Sequence, residues 1–311
     1  MTFASTTFWT VVLAGTVSLA TPLMFAALGE TVVELSGVLN LGIEGMMLMG
    51  ALGGIAGSHV GGSMVGVLAG LAVGALFGGV MALGVSVMGA NQIIVGIAIT
   101  FVGTGLSDYL FEVWSPTGQT VITAPLVPTI RVPVLSRIPV VGQALFHESI
   151  LTYVALALVV LLTWFLRKSR FGLLIRACGD DPASAQIRGV RTRNVRVLTL
   201  LVGGAMAGLG GAAITIGYLG SFVADVTNGS GFIAIAIVII GAWSPLGCLA
   251  GALMFGFFQS LGLQAQTVSL GLPVECYDAL PYVVTLLVLF LTVHRRRAPA
   301  ALGLPLPTGG E

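Results

Sequence analysis

Apolar residues recur along this chain in runs long enough to cross a bilayer, separated by short breaks that carry glycine, proline or charge. A hydrocarbon layer of about 30 Å takes about 20 helical residues. Runs of that order fall at 9–28, 36–57, 64–88, 91–111, 150–166, 196–218, 230–244, 246–265 and 279–293. The pattern predicts an all-α polytopic membrane protein with about nine transmembrane helices, eight to ten being compatible with ambiguous boundaries near 58–63 and 245. The first run, Phe8–Leu28, lacks a positive n-region and is followed by more membrane sequence, so it reads as a retained span.

Two stretches depart from this rhythm. Between Glu112 and Glu148 the prolines Pro116, Pro125, Pro128, Pro133 and Pro139 forbid a regular helix, which predicts an ordered loop region on the outer face with a short helix lying on the surface. That region reads equally as a connector or as a place that receives a partner. Residues 298–311 are rich in Pro, Gly and Ala and read as a disordered tail, leaving 1–297 as the membrane domain.

Composition agrees with the pattern. Hydrophobic residues make up 56% of the chain and charged residues 8%, with a mean hydropathy of +1.05. A soluble domain carries roughly 25% charged residues. The lipid bilayer is therefore the solvent, and nucleic acid is excluded as a partner. Cys178, Cys248 and Cys276 match no metal or redox spacing and read as small core residues.

Positive charge is unevenly placed. Eight of the thirteen Lys and Arg residues lie between Arg167 and Arg196, and three more form the Arg295–Arg297 triplet. Lys and Arg concentrate in cytoplasmic loops, so both groups are assigned to the cytoplasm. The four runs between them agree with that, and counting back five puts the N-terminus outside.

Glycine is the other compositional signal, with 44 residues. Pairs four apart, such as Gly50 with Gly54, Gly70 with Gly74, Gly204 with Gly208 and Gly247 with Gly251, let helix backbones approach where no hydrophobic force drives them together. A loosely similar rhythm over 45–80 and 231–262 is compatible with a remnant inverted repeat.

An ionisable group inside a membrane costs at least ~2.5 kcal/mol and marks a candidate site. Glu44 lies in the run G-V-L-N-L-G-I-E-G. Were that run helical, Glu34, Gly37, Asn40 and Glu44 would share an arc of about 120°, forming a polar stripe toward a cavity or a neighbouring helix. Asn40 and Glu44 thus either line a path or lock the bundle. Asn91 and Gln92 open the next polar site, where they cap a helix or line the same path. Asp108 reads as a solvated end charge, and Asp225, Asn228 and Gly229 as a loop between spans.

No enzyme constellation is present. His59, His147 and His294 form no metal-ligand pattern, and no G-x-S-x-G elbow occurs. The sole lysine, Lys168, does not follow a G-x-x-x-x-G phosphate loop, so no nucleotide is held by that route.

Within the basic loop, Asp181-Pro182 is a helix-start signal: Asp181 can cap free N–H groups and Pro182 suits the first helical position. Ala183 to Arg188 then form one or two turns, and Gly189 ends them in a left-handed conformation. A short capped helix flanked by Arg176, Arg188, Arg191 and Arg193 is a shape suited to a groove on another protein.

The run G-L-L-I-R-A-C-G-D-D-P-A-S-A-Q-I-R-G-V resembles the cytoplasmic coupling loop of ABC importer permeases of the ribose and branched-chain amino acid permease superfamily. The runs at Thr21–Ala51, Ala90–Phe101 and Gly231–Gly256 agree in order and spacing, and L-N-L-G-I-E-G, N-Q-I-I-V-G and I-P-V-V-G look most like the bacterial nucleoside importers. The resemblance implies a type II ABC importer-like permease fold in the plasma membrane. It also implies a second related permease, a cytoplasmic ABC ATPase that carries the ATP and Mg, and an external substrate-binding lipoprotein. This chain would bind no cofactor. The implied coupling residues are Arg176, Gly179, Asp180, Asp181, Pro182, Ala183, Ala185, Arg188 and Gly189, with Asp180 at a place where the family often has Glu or Asn. Asn40, Glu44, Asn91 and Gln92 are the candidates for the substrate path.

Nucleosides lead as the small-molecule substrate, followed by ribose-like sugars and branched-chain amino acids. A secondary transporter using Glu44 as an ion or proton site is the rival from another class, and a scaffold without transport is the third.

Overall fold

The computed structural model describes residues 6–115, 120–131, 146–267, 273–292 and 298–304. Eleven helices are described: α1 Thr6–Leu35, α2 Ile43–Gly61, α3 Ser63–Ala82, α4 Gln92–Trp114, α5 Ile150–Lys168, α6 Arg170–Asp180, α7 Pro182–Ile187, α8 Thr192–Ile214, α9 Ser230–Ile240, α10 Pro245–Gln266 and α11 Val274–Thr292. A π-helical turn extends α3 over Leu83–Val87 and another extends α8 over Thr215–Leu219.

Every expected apolar run coincides at least partly with a helix, but among the described residues six are long and apolar enough to cross a membrane. These are Thr6–Leu35, Ser63–Val87, Gln92–Trp114, Ile150–Lys168, Thr192–Leu219 and Pro245–Gln266. The expected count of nine thus contracts to six by this measure, partly because α9 has only 11 residues.

The run expected as one helix over 36–57 is broken. Helix α1 ends at Leu35, Gly37 turns the chain at φ +87°, and α2 begins only at Ile43. Glycine adopts that φ at no steric cost. The apolar residues Val38, Leu39 and Leu41 keep the hydropathy high through the break, which is why the pattern reads as continuous. The polar stripe from Glu34 to Glu44 therefore does not exist as a helix face.

Helices α1 and α8 form the centre, packed against each other, with α2 and α3 closing on α8 and α10 on α1. The glycine pairs act as the pattern predicts at the α2–α3–α8 crossing, where a Cβ on Gly74 would lie 2.6 Å from Gly208 Cα and one on Gly70 would lie 2.9 Å from Gly50 O. A second, smaller apolar cluster of Val32, Leu166, Ile175, Cys178 and Val195 fastens α6 beneath α1, α5 and α8.

In the proline-rich region, where a loop with a short surface helix is expected, residues 116–119 and 132–145 lie outside the described residues. Its described parts hold strands β1 (Ile122–Thr123), β2 (Thr129–Arg131) and β3 (His147–Ser149); Pro116, Pro133 and Pro139 lie outside the described residues. Strand β1 pairs antiparallel with β4 (Ser221–Phe222), Ile122 opposite Phe222, and β2 pairs with β3, Ile130 opposite Glu148. Ser18 in α1 reaches Glu148 of β3, whereas Leu35 at the end of α1 touches Gly179 of α6. The strands and the basic loop therefore occupy opposite ends of the bundle.

Candidate functional site

The basic loop folds into two short helices. Ser169 caps α6 by accepting from Gly172 N at 2.9 Å. Asp181 caps α7: its Oδ1 accepts from Ser184 N at 3.0 Å, its Oδ2 accepts from the Ser184 hydroxyl, and Pro182 occupies the first turn. The Ser184 side chain, then its amide, hold the Asp181 carboxyl below its ordinary range. Gly189 closes the C-terminus at φ +83°, donating to Gln186 O at 2.8 Å, while Val190 donates to Ala185 O at 3.0 Å.

The faces of α7 divide sharply. Ala185 is 4% exposed against the bundle, whereas Ile187 is 87% exposed and stands beside the exposed Ala183 and Arg188. Asp180 is exposed, and Arg176 is half-buried with its Nε donating to Gly172 O at 3.4 Å.

Gly179 is buried and joins this loop to the bundle. A Cβ there would lie 3.0 Å from the Leu35 carbonyl carbon and 3.1 Å from Gly37 N, so α6 ends directly against the break that follows α1. Arg196, counted in the sequence as one more positive flank, is 3% exposed and donates from Nε to Ser36 O at 3.2 Å. Ser36 Oγ also lies 3.0 Å from Thr199 Oγ1. Nothing in a positive cluster signals which member turns inward.

Asn40 and Glu44 are both buried and both engaged. Asn40 donates from its backbone N and its Nδ2 to Glu30, each at 3.2 Å, while its Oδ1 accepts from Gly42 N at 3.1 Å. Nearby, Trp243 Nε1 donates to Glu34 Oε2 at 2.5 Å, although Glu34 Oε1 is buried without a partner. Glu44 accepts from Thr227 Oγ1 at 2.5 Å, Gly229 N at 3.0 Å and Gly231 N at 2.6 Å. It thus holds the Gly229 and Gly231 amides at the start of α9, where the helix dipole favours a carboxyl group. Asp225, Asn228 and Gly229 form the expected loop, all at positive φ.

Asn91 and Gln92 serve different ends. Asn91 is exposed and caps α4, its Oδ1 accepting from Ile93 N at 2.9 Å and Ile94 N at 3.3 Å. Gln92 is 4% exposed; its Oε1 accepts from Leu39 N at 2.9 Å and its Nε2 donates to Leu304 O at 3.2 Å. Asn40 and Glu44 are thus engaged within the bundle, whereas Asn91 and Gln92 line a small cavity of about 150 Å³ together with Gly303 and Leu304. Among the described residues no cluster of three His, Cys, Asp or Glu side chains is placed to hold a metal.

An open polar chamber does exist at the opposite end, with a volume of about 640 Å³. Its walls include Ser18 and Thr21 of α1, Glu148 of β3, Thr152 of α5 and Tyr218 of the π-helical turn. Thr21 and Thr152 hydroxyls lie 3.0 Å apart, and Ser18 Oγ donates to Glu148 Oε2 at 3.0 Å. Burial pushes the Glu148 carboxyl up to about 7. The folded protein then holds a proton there that the unfolded chain releases near 4.5. Stability is expected to fall as pH rises from about 4.5 to about 7 and to level off above that. Melting temperatures across that range check this, and Glu148→Gln should flatten the profile.

The comparisons with known proteins agree in direction. The family described as branched-chain amino acid transport system / permease component matches residues 12–289. Guanosine ABC transporter permease protein NupQ of Bacillus subtilis (strain 168) is 32% identical over 310 residues, covering 96% of this chain and 97% of that protein. Nucleoside ABC transporter permease protein NupC of Lactococcus lactis subsp. cremoris (strain MG1363) is 31% identical over 303 residues, covering 94% and 95%. The "Putative glucose ABC transporter permease protein TsgC13" of Haloferax volcanii is 38% identical over 261 residues, covering 83% and 78%. With a family match across nearly the whole helical bundle, the chain belongs to the branched-chain amino acid transport system / permease component family, a multi-pass membrane transport component.

Proposed function

We propose that this chain forms half of the translocation path of an ATP-driven importer of nucleosides. The observation that carries the reading is end-to-end similarity to two nucleoside-class permeases, 96% and 94% of this chain being aligned. Six long apolar helices and a capped, outward-facing α7 at one end support it. The remaining apolar helices α2, α9 and α11 complete nine crossings, α9 entering part-way down where Glu44 holds its first amides.

The basic loop and C-terminus face the cytoplasm in this reading, as their charge requires. A cytoplasmic ATPase subunit receives Ile187 and its neighbours on α7; a second related permease completes the path; and an external binding lipoprotein delivers the substrate. ATP binds and is hydrolysed on the ATPase with its Mg, not on this chain. Closure of the ATPase favours one arrangement of the helices over the other, which shifts the population between outward- and inward-facing states.

The outer chamber receives the substrate. Hydroxyls at Ser18, Thr21 and Thr152, with Glu148 able to donate when protonated, suit a neutral polyhydroxylated molecule. That chemistry covers ribose and glucose alike, and the 38% identity to the Haloferax protein makes a simple sugar the second reading. Reconstituted transporter tests the choice: ATP-dependent uptake of labelled guanosine competed by unlabelled nucleosides and not by glucose is the expected result, and the reverse order of competition assigns a sugar.

A further inference from the structure

The tail expected to be disordered spans 298–311, and its described part, 298–304, folds as a turn against the bundle. Pro299 is buried and Ala301 is 4% exposed. Leu302 N donates to Pro299 O at 3.1 Å, Leu304 N to Ala301 O at 3.3 Å, and Gly303 takes φ +76°. Residues 305–311 lie outside the described residues.

This turn touches the bundle at two informative places. Ala301 N donates to Gly179 O at 2.8 Å, at the end of α6 where α7 begins. Leu304 O accepts from Gln92 Nε2 at 3.2 Å, at the start of α4. A second connection runs in parallel: Gly179 packs on Gly37, and Leu39 N donates to Gln92 Oε1 at 2.9 Å. The two faces of one side-chain amide therefore close a ring that passes from Gly179 through the C-terminal turn to Gln92, and back through the 36–42 break to Gly179.

The break continues the contact into α4. Thr100 Oγ1 donates to Leu41 O at 3.0 Å, and a Cβ on Gly96 would lie 3.0 Å from Gly42 N. Helix α4 is the least buried of the six long helices and packs mainly on α2, so these contacts add to a small set.

We propose that the C-terminal turn and the 36–42 break are paired straps that carry displacement of α7 to α4, with Gln92 as the positioning residue that joins them. The inference rests on the proposed coupling role of α7. A backbone hydrogen bond and a glycine contact at one end, and a buried amide at the other, leave little slack. Movement of Gly179 is passed on rather than absorbed.

The test uses the assembled transporter in liposomes and reads uptake per ATP hydrolysed, alongside retention of the ATPase subunit. Two variants are compared with wild type: removal of 298–311, and Gln92→Glu, which keeps the acceptor for Leu39 N but loses the donor to Leu304 O. Each is expected to lower uptake per ATP by about fivefold or more while the ATPase stays bound and hydrolyses, and the combined variant should fall no further than the worse single one. Unchanged uptake per ATP in both variants overturns the strap, as does loss of the ATPase subunit, which would make the turn an assembly contact. Gln92→Glu keeps the question answerable if the truncated chain does not fold. Absence of ATP-driven uptake by wild type counts against the importer reading itself and is seen in a separate arm.

Discussion

Glu44→Leu is expected to destabilise the protein by about 3–5 kcal/mol, seen as a lower melting temperature in detergent and poor accumulation in the membrane. The buried carboxyl accepts from one hydroxyl and two backbone amides, and leucine leaves the buried Thr227 hydroxyl and Gly231 amide without that acceptor. Backbone groups at membrane depth have no solvent to turn to. Glu44→Gln retains one acceptor oxygen and should cost only about 1–2 kcal/mol. This pair of variants also separates two functions. An anchor for α9 survives as glutamine and transport continues; an ion or proton site, as a secondary transporter needs, does not.

The second large effect is expected at the seam of α3 and α8. A Cβ on Gly74 would lie 2.6 Å from Gly208 Cα and 2.7 Å from Gly208 N, and one on Gly208 would lie 2.7 Å from Gly74 Cα. These neighbours are backbone, so no side chain can swing aside. Gly74→Val should cost about 3 kcal/mol or more, the upper end of overpacking penalties. Gly105, with nothing within 4 Å of a Cβ, is the control. Gly105→Ala should leave the melting temperature unchanged or slightly raised, because alanine is the better helix former. Equal effects at the two positions would show that the seam is not limited by backbone approach.

The helices were legible because hydropathy and length are local quantities. The runs 150–166 and 246–265 correspond to Ile150–Lys168 and Pro245–Gln266, and the Asp181-Pro182 start and Gly189 stop of α7 appear where cap chemistry puts them. What escaped the sequence depends on distant partners. The two-residue strands at 122–123 and 221–222 exist only as a pair, with no periodicity of their own. Gln92 reads as a cap or path residue until Leu304, 212 positions away, is placed beside it. The break at 36–42 was half visible in Gly37 and Asn40, but the leucines and valine around them outweighed the signal. Helix α6 was hidden by its many charges, which read as loop although they sit on an amphipathic stretch over a buried Ile175 and Cys178. The expected cytoplasmic triplet Arg295–Arg297 lies outside the described residues.

Glu148 was likewise passed over, because at the end of a proline-rich stretch it looks like a solvated charge. Its burial comes from pairing of β3 with β2 and from contact with Ser18 of α1, and neither is encoded nearby. In contrast, Asp181 keeps its carboxyl charge readily, and its role is local. Helix α7 itself is therefore specified locally, by Asp181 and Gly189, whereas its attachment to the bundle and the chamber at the other end are both assembled by long-range contacts.

Coupling through α7 is tested most directly by one measurement: ATP-driven uptake of labelled guanosine by reconstituted transporter carrying Pro182→Glu and Ala183→Arg. Both residues stand at the start of a six-residue helix whose exposed face holds Ile187 away from the bundle. Uptake should be abolished while the melting temperature of the permease stays near that of wild type. Uptake at the wild-type rate by the doubly substituted protein would contradict an importer driven through this loop.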